Sequence, residues 1–271
     1  MTRTPSSQAL PVGAGGAHHA RVQVPSFAAI PAGSFDYGDR YGEGTPDERP
    51  TRPCHVPAFA LARTPVTAAE YLAYLEDAHL VSTPAPEWHS FPPQAGDGLW
   101  TDGGGTVRCE AAARDFPVVF VSWLGAGAYC RWLSGVIGAT VRLPTEAEWQ
   151  YAAAGTRQTR WALGNEFDRS AYVCTTSGPA RTGERPASEF GLLDVTGNVF
   201  EWCLDLWHMP PGAPESAVRL PDSRVIKGGA FILRDPMNFR NAKRFSCFQA
   251  SCVECIGFRP LCEDPSVGNP S

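Results

Sequence analysis

The chain is poor in lysine and has no long hydrophobic run. Its 271 residues include two lysines, Lys227 and Lys243, so arginine carries nearly all of the positive charge. Charged residues make up 19% of the chain and the formal net charge is −5, which argues against nucleic acid or an anionic membrane as partner. The sequence contains no apolar run of about 18 residues, the length needed to cross a membrane. It also shows no signal-peptide pattern, and we therefore expect a cytoplasmic protein.

Cysteine is present but follows no disulfide pattern. The nine cysteines are an odd number with irregular spacing, in a chain large enough to fold without disulfides. Without a secretion signal, this pattern predicts mostly reduced thiols. The 27 glycines, 25 prolines and 43% hydrophobic residues favour a loop-rich fold with a real core over a helix bundle.

Three segments carry helix signals. TPVTAAEYLAYLED has Thr67 as N-cap and Glu70 as its capping-box partner, and RLPTEAEWQYAAAG repeats the arrangement with Thr145 and Glu148. Between them, the apolar run FPVVFVSW predicts a buried strand that leads into another helix. The predicted buried face of that helix consists of Ala126, Tyr129, Cys130 and Leu133.

Helix signals end at about residue 160, and short segments separated by Gly, Pro and Asp follow. The sequence shows neither an internal repeat nor a second hydrophobic core, which predicts one α+β domain. We expect a flexible tail over residues 1–26, the domain over residues 27–262 and a C-terminal tail over residues 263–271.

Several of these segments together resemble the formylglycine-generating-enzyme family, also called the sulfatase-modifying-factor domain. In chain order the motifs are AAIPAGSFDYG, TPVTAAEYLAYL, RLPTEAEWQYAAAG, GLLDVTGNVFEWCLDLW, VIKGGAFI, RNAKR and GFRPL. The resemblance covers residues 27–262. It implies a C-type-lectin-like fold with little regular secondary structure, a small twisted antiparallel sheet and two flanking helices. The double glycine Gly228-Gly229 agrees with this fold, because it suits a bulge or a close backbone approach.

The residues of the family's oxidising centre are absent. In the family, two cysteines shortly after the double glycine bind copper and drive oxygen-dependent oxidation of a substrate cysteine. Leu233 and Asn238 stand at those positions here, and Ala230 replaces a catalytic serine. Because a soft copper ion needs thiolates, the resemblance implies a member that does not itself generate formylglycine.

The segment DVTGNVFE is the best candidate for a metal site. The resemblance implies a structural calcium ion held by Asp194, the carbonyls of Gly197 and Val199, and Glu201. Calcium prefers six to eight hard oxygen ligands, and a turn containing glycine lets carbonyls converge beside carboxylates. The alternative is a tight turn in which Glu201 is solvated or paired with an arginine. A second calcium site of the family is not expected, since Tyr172 replaces an oxygen ligand there.

An arginine-rich segment follows the double glycine and is the predicted substrate-recognition surface. Its candidate substrate-binding residues are Arg234, Asp235, Asn238, Arg240 and Arg244, with Trp207 as an aromatic wall. Arg240 and Arg244 match the family's R-x-A-x-R pattern, for which the alternative is structural: buried arginines that bridge irregular loops. Arg234 and Asn238 lie off that pattern and are better candidates for specificity.

Cysteine and histidine offer further, weaker metal hypotheses. Cys247, Cys252 and Cys255 show the C-x4-C-x2-C spacing of some iron–sulfur ligands, and Cys262 follows. Buried apolar thiols or one local disulfide are the alternatives. By loose analogy with the family, Cys130 could pair with Cys262.

An iron site built on histidine is the last metal hypothesis. Related sulfoxide synthases bind non-heme iron through histidines of a separate helical domain, which this sequence lacks. Any iron here would need improvised ligands: His208, at the end of the predicted calcium-site segment, could converge with His89 or His55 from loops. The alternative is that each is a packing or surface residue, as an isolated histidine more often is.

Two functions from different classes fit these features. The first is an oxygen-dependent oxidoreductase, with or without non-heme iron, that tailors a small amino-acid-derived metabolite in a biosynthetic pathway. The second is a non-catalytic, lectin-like module that binds a ligand or a protein. Both keep the scaffold and dispense with the copper cysteines, because one fold carries several unrelated activities.

Overall fold

Short strands and three helices form the described parts of the chain; the computed structural model describes residues 23–83, 85–94, 96–208 and 222–268. The strands are β1 (Phe27–Ile30), β2 (Gly33–Tyr37), β3 (Arg52–Val56), β4 (Phe59–Ala62), β5 (Leu99–Thr101), β6 (Val107–Cys109), β7 (Val141–Arg142), β8 (Phe200–Leu206), β9 (Ser223–Lys227), β10 (Phe245–Phe248), β11 (Ile256–Gly257) and β12 (Leu261–Cys262). The helices are α1 (Ala68–Asp77), α2 (Trp123–Ile137) and α3 (Glu146–Ala154).

Two four-stranded sheets build the framework. The first has the strand order β1-β4-β12-β7 and is antiparallel throughout. The second has the order β10-β9-β8-β11, and its last pair, β11 with β8, is parallel. The hairpins β2–β3 and β5–β6 lie outside these sheets. The α+β class and the low content of regular structure are confirmed, with three helices in place of the two that the resemblance implied.

The helices begin where their capping residues predict. Both Thr67 and Thr145 accept a hydrogen bond from the backbone N–H three residues later, and Glu70 and Glu148 accept one in return from the backbone of the capping residue. This reciprocal bonding satisfies backbone donors that a helix start leaves free. The predicted face of α2 is confirmed, because Ala126, Tyr129, Cys130 and Leu133 are all buried.

The predicted strand FPVVFVSW is wrong. Residues 116–123 form no strand; Pro117 and Val121 make only isolated bridges, to Thr67 and His89. Val118 and Val121 are nevertheless buried in the larger core. The apolar run therefore reflects burial of an irregular segment, which gives the same sequence signal as a buried strand.

The double glycine is a close backbone approach, as predicted. Gly228 and Gly229 follow β9 with φ of 88° and 77°, a region that favours glycine. A Cβ atom on Gly229 would lie 2.5 Å from Cδ1 of Phe239. This contact holds the segment after β9 against the turn over Pro236–Phe239, inside the arginine-rich segment.

The structure describes a few residues beyond each predicted boundary of the domain. Strand β1 begins at Phe27, and most of the expected N-terminal tail lies outside the described residues. At the other end, residues 263–268 continue the fold: Arg142 Nε donates to Glu263 Oε1 at 2.8 Å, and the backbone of Gly268 packs against Ala29. None of the helices in the described ranges has both the length and the hydrophobicity needed to cross a bilayer.

Candidate functional site

Strand β8 lies between two hydrophobic cores and contributes side chains to both. Trp202 packs in the larger core, whereas Cys203 packs in the second core, on the opposite face of the strand. On that second face, Glu201 lies directly opposite Lys227 of β9. Asp205, near the open end of β8, accepts a hydrogen bond from the backbone N–H of Glu146 at 2.6 Å. The end of β8 is therefore joined to the first turn of α3.

A charged cleft opens at this junction, with a volume of ≈ 200 Å³. It lies between the end of β8, the start of α3, the β2–β3 hairpin and the arginine-rich segment. Its lining residues are Tyr37, Gly38, Asp47, Glu48, Arg49, Pro50, Arg52, Glu146, Gln150, Asp205, Leu206, His208, Ala242 and Arg244.

The floor of the cleft is a fixed ion-pair network around Glu146. Arg244 binds both carboxylate oxygens of Glu146, at 3.0 and 2.9 Å, in the bidentate geometry that gives strong charge-assisted hydrogen bonds. Lys227 Nζ lies 3.5 Å from Glu146 Oε1 and is fully buried. Burial lowers the pKa of Lys227, and the Glu146 carboxylate opposes that shift. Burial, followed by the charge of the Glu146 carboxylate, raises the pKa of the Tyr37 phenol.

Four charged side chains line the cleft without a salt-bridge partner among the described residues: Asp47, Asp205, Arg49 and Arg52. Asp205 is half-buried, and burial raises the pKa of its carboxyl group, with Glu146 and Glu148 adding to the shift. Arg52 is exposed at the start of β3, directly opposite Tyr37 in the hairpin. The cleft thus offers an anion beside its floor and a cation at its rim.

The predicted arginine pair has mainly structural contacts. Arg240 is buried, with Nη2 at 2.8 Å from Glu48 and Nη1 at 3.5 Å from Asp39. Arg244 is buried too; besides Glu146 it donates to the carbonyls of Asp47 and His208. These contacts fit the structural alternative for both arginines, although Arg244 also lines the cleft.

The other residues of the predicted recognition surface lie in two separate parts of the structure. Trp207 packs under Arg244, with the guanidinium 4.5 Å from its ring centroid, beside the cleft. Arg234, Asp235 and Asn238 lie outside the cleft lining, around a short 3-10 turn over Pro236–Phe239. Asp235 caps this turn by accepting from the Met237 N–H at 3.0 Å, so its side chain has a structural contact of its own.

One of the two positions of the family's copper cysteines, Leu233, lies against an aromatic cluster. Leu233 packs against Trp161, Tyr172 and Phe239. Cys174 belongs to the same cluster and is buried. A single thiol beside an apolar side chain and the Asn238 amide does not provide the two thiolates that copper requires.

The Asp194 half of the predicted calcium clamp has an unsatisfied ligand atom. Asp194 has φ of 54°, and the following Gly197 and Asn198 have φ of 84° and 62°, which makes a sharply turned segment. Oδ2 of Asp194 accepts from the Gly183 N–H at 2.6 Å, whereas Oδ1 is buried with no hydrogen-bond partner. Burial raises the pKa of this carboxyl group. An orphaned buried oxygen in a turn of this kind fits a cation ligand.

The Glu201 half is engaged by protein groups. Arg259 binds both oxygens of Glu201, at 2.8 and 2.7 Å, and Trp149 Nε1 donates to Oε2 at 2.6 Å. All three side chains are fully buried. The arginine-paired alternative therefore describes Glu201 in this structure, and any calcium ion would share that carboxylate with Arg259.

The histidines expected as iron ligands do not come together. His55 is exposed and bonds Ser34, His208 is exposed at the cleft, and His89 is buried against Phe91 with ring centroids 4.7 Å apart. Burial lowers the pKa of His89 to about 4. In the described ranges no group of three or more His, Cys, Asp or Glu side chains is arranged to hold a metal ion. Different elements hold these three side chains apart, so the described structure gives the iron hypothesis no support.

The cysteines are free thiols. Cys130 and Cys262 are unpaired, so the disulfide suggested for them is wrong. Cys247, Cys252 and Cys255 form neither a disulfide nor a metal-ligand group within the described chain. Burial is the largest cause that raises the pKa of Cys255, to about 11. These thiols fit the alternative of small apolar packing residues.

Sequence reasoning missed the residues that shape the cleft most directly. Glu146, Asp205, Tyr37 and Arg52 lie on α3, β8, β2 and β3, and only folding brings them together. Glu146 had no distinct signal, because acidic residues are favoured in the first turn of any helix. Asp205, Tyr37 and Arg52 had none.

Comparison with known proteins agrees with the fold. Residues 15–263 match the family model described as the sulfatase-modifying factor enzyme 1-like domain. The chain is 32% identical over 280 residues to the formylglycine-generating enzyme of Streptomyces coelicolor, covering 85% of this chain and 87% of that one. It is also 32% identical to the serine/threonine-protein kinase Pkn1 of Chlamydia trachomatis, covering 85% of this chain but 37% of the kinase.

Among solved structures, PvdO from Pseudomonas aeruginosa superposes with a TM-score of 0.71 at 25% identity, covering 89% of this chain and 95% of PvdO. Together with the order of the sequence motifs and the two-sheet framework, these similarities place the chain in a family. It belongs to the sulfatase-modifying-factor family, which includes the formylglycine-generating enzymes.

Proposed function

We propose that the chain is a non-copper oxidoreductase of this family, which uses dioxygen to oxidise a small amino-acid-derived molecule bound in the charged cleft. The observation that carries the proposal is that unpaired side chains of both charges, among them Asp205 and Arg52, face a volume of ≈ 200 Å³. A zwitterion would satisfy both charges at once. In the oxidation, two electrons and two protons leave the substrate and reduce dioxygen to hydrogen peroxide.

The rigid floor supports a binding role for the cleft. Glu146 is held by Arg244 and Lys227, so the charges beneath a ligand are already compensated before it binds. Side chains that are fixed by neighbours lose little entropy on binding, which favours affinity and a defined ligand orientation.

Relatedness and residue changes support the oxidoreductase part. A relative that matches over most of both chains is named a formylglycine-generating enzyme. Leu233 and Asn238 replace the copper-binding pair, so the oxidation we propose belongs to a different substrate and proceeds without that thiolate centre.

Oxygen uptake tests this proposal. Purified protein is incubated with each proteinogenic amino acid and each corresponding decarboxylated amine, and both oxygen consumption and hydrogen peroxide are recorded. We expect uptake with a subset of these molecules and its loss in Arg52→Ala. Arg157→Ala is the matched control, since Arg157 has a 71% exposed side chain outside the cleft lining. Absence of oxygen uptake with every compound would refute the oxidoreductase.

The second candidate is a non-catalytic binding module. The chain matches a region that makes up 37% of the kinase Pkn1, which favours use of this domain as a part of larger proteins. Binding of a ligand in the cleft without any oxygen uptake would support this function in place of the first.

We also propose a structural calcium ion on Asp194, the carbonyls of Gly197 and Val199, and a shared Glu201 oxygen. The orphaned Oδ1 of Asp194 supports it, since a cation would give this buried oxygen a partner. Such an ion supplies no redox chemistry; it would tie the turn after Asp194 to strand β8.

Asp194→Asn is the informative variant for calcium. Substitution of Glu201 would unpair Arg259 whether or not calcium binds, whereas Asp194→Asn keeps a side-chain oxygen for the Gly183 N–H and loses only the charge. We expect calcium at about a hundredfold its dissociation constant to stabilise the wild-type chain by about 2.7 kcal/mol, and the variant far less. Thermal unfolding with calcium or with chelator measures this, and an equal calcium response of both proteins would contradict the site.

A further inference from the structure

We infer that Asp205 recognises a primary ammonium group beside the floor of the cleft, and that the ligand's carboxylate lies at the rim against Arg52. The inference rests on the proposed function for the location of the site, but it concerns how the ligand is bound and in which orientation. It makes the cleft a site for amines, with recognition of the amino group as its main determinant.

The glutamates around Asp205 are already compensated. Glu146 is paired with Arg244 and Lys227. Glu148 receives two hydrogen bonds of 2.8 Å from Arg142. Glu48 is similarly held, by Arg240 at 2.8 Å and by Lys243 at 3.3 Å. The acids of the cleft that remain without a salt bridge in the described structure are therefore Asp47 and Asp205, and Asp205 is the one joined to the first turn of α3, beside the floor.

Asp205 itself has no such cation. Its hydrogen bond from the Glu146 N–H is to a neutral donor. Arg224 acts on it electrostatically, but the guanidinium donates to the Leu204 carbonyl and to Gln249, and stacks 3.7 Å over the Trp123 ring. A half-buried carboxylate near Glu146 and Glu148 is unfavourable as an isolated charge, so a bound cation stabilises it.

The two side chains that we assign to the ligand lie at different depths. Asp205 is half-buried beside the first turn of α3, whereas Arg52 is exposed at the start of β3, in the β2–β3 hairpin. A zwitterion can satisfy both charges in only one orientation, with the ammonium inward and the carboxylate outward. The structure thus predicts that ligands lacking the amino group lose most of their affinity.

An ammonium suits Asp205 better than a metal ion does. The part of the chain that the structure describes has no group of three or more His, Cys, Asp or Glu side chains arranged around an ion. An ammonium needs fewer ligands, since one carboxylate and nearby acceptors can receive its N–H donors.

Three probes that differ only in their charged ends test the inference. Binding of 5-aminopentanoate, pentylamine and pentanoate to the full chain is measured by calorimetry at millimolar concentration. We expect 5-aminopentanoate and pentylamine to bind, with pentanoate the weakest. Asp205→Asn keeps an oxygen for the Glu146 N–H and should weaken both amines roughly ten- to a hundredfold. Arg52→Ala should weaken 5-aminopentanoate but leave pentylamine unchanged.

Asp115→Asn is the matched control, since Asp115 lies outside the cleft, is 64% exposed and pairs with Arg181. Pentanoate binding more tightly than pentylamine, amine affinities unchanged in Asp205→Asn, or no binding of any probe would each overturn the inference. Different results would contradict the oxidoreductase proposal and the role of Asp205. Amine binding without oxygen uptake refutes that proposal alone, whereas undiminished oxygen uptake from an amine by Asp205→Asn refutes only the role of Asp205.

Discussion

The two ends of strand β8 handle buried charge in opposite ways. At its start, Glu201 is fully buried and every carboxylate oxygen has a donor, from Arg259 and Trp149. Near its end, Asp205 is half-buried, faces a cleft and receives one hydrogen bond from a neutral backbone group. The first end is closed to ligands and the second is open.

Within this one strand, the Glu201 end is therefore part of the structural framework, and the Asp205 end is part of the cleft. Arg259 also donates to the carbonyls of Ala62, Arg63 and Leu193, so the Glu201 pair fastens three chain segments together. Asp205 fastens only α3 to β8 and keeps capacity to accept further hydrogen bonds. We infer that compensated acids in this fold hold the framework, and that an uncompensated acid facing a cleft marks a binding position.

The largest effect is expected at the closed end. Arg259→Met leaves Glu201 as an unpaired charge in the core, and breaking a buried ion pair in this way costs about 3–5 kcal/mol of unfolding free energy. Urea unfolding of purified protein measures the loss. The double variant Glu201→Gln/Arg259→Met is the control and should recover part of it, because it removes the isolated charge. A loss below about 1 kcal/mol in Arg259→Met would show that this end is not the scaffold.

Local signals predicted much of the fold from the sequence. The capping boxes at Thr67 and Thr145 involve residues three apart, so a short stretch contains all the information needed. The strand predicted at FPVVFVSW failed because burial by loops and burial in a sheet leave the same apolar run. The family resemblance provided the framework, which no local pattern could.

The cleft was beyond the reach of sequence reasoning. Arg240 and Arg244 stood out as an arginine pair, but their partners Glu48 and Glu146 are distant in the chain and become visible only in the fold. Asp205 resembles any acid at the end of a strand. Its importance lies in the absence of a salt bridge to it within the described structure, and a sequence does not show which charges remain unpaired.

His89 is an exception to the difference between a compensated framework and an uncompensated cleft. It is a polar side chain without a partner for Nδ1 among the described residues, and it lies away from the cleft. Nδ1 is buried without a hydrogen-bond partner, and burial lowers the pKa of His89 from 6.5 to about 4. Between pH 6.5 and about 4, the unfolded chain binds a proton at His89 that the folded protein does not bind. The unfolding free energy is therefore not reduced by His89 above pH 6.5, and it falls as the pH drops from 6.5 towards 4. The loss reaches on the order of 3 kcal/mol.

His89→Phe should remove the loss of unfolding free energy at low pH, and it keeps an aromatic ring against Phe91 and Tyr71. Urea unfolding at a series of pH values measures it: the two proteins should differ least at neutral pH, and the variant should gain relative stability below pH 6.5. Parallel curves for the two proteins would contradict the assignment. His55→Phe is the control, since His55 is exposed.

The smallest change is expected at Lys227, which is as fully buried as Arg259 but lies behind the floor of the cleft. Lys227→Met removes an ammonium whose burial already lowers its pKa, and Glu146 retains both hydrogen bonds from Arg244. Because no isolated charge is left behind, we expect less than about 1 kcal/mol of lost unfolding free energy. Pentylamine affinity should also stay unchanged, since Lys227 does not line the cleft. A loss as large as that of Arg259→Met would mean that Arg244 alone does not compensate Glu146, and the floor would then depend on both cations.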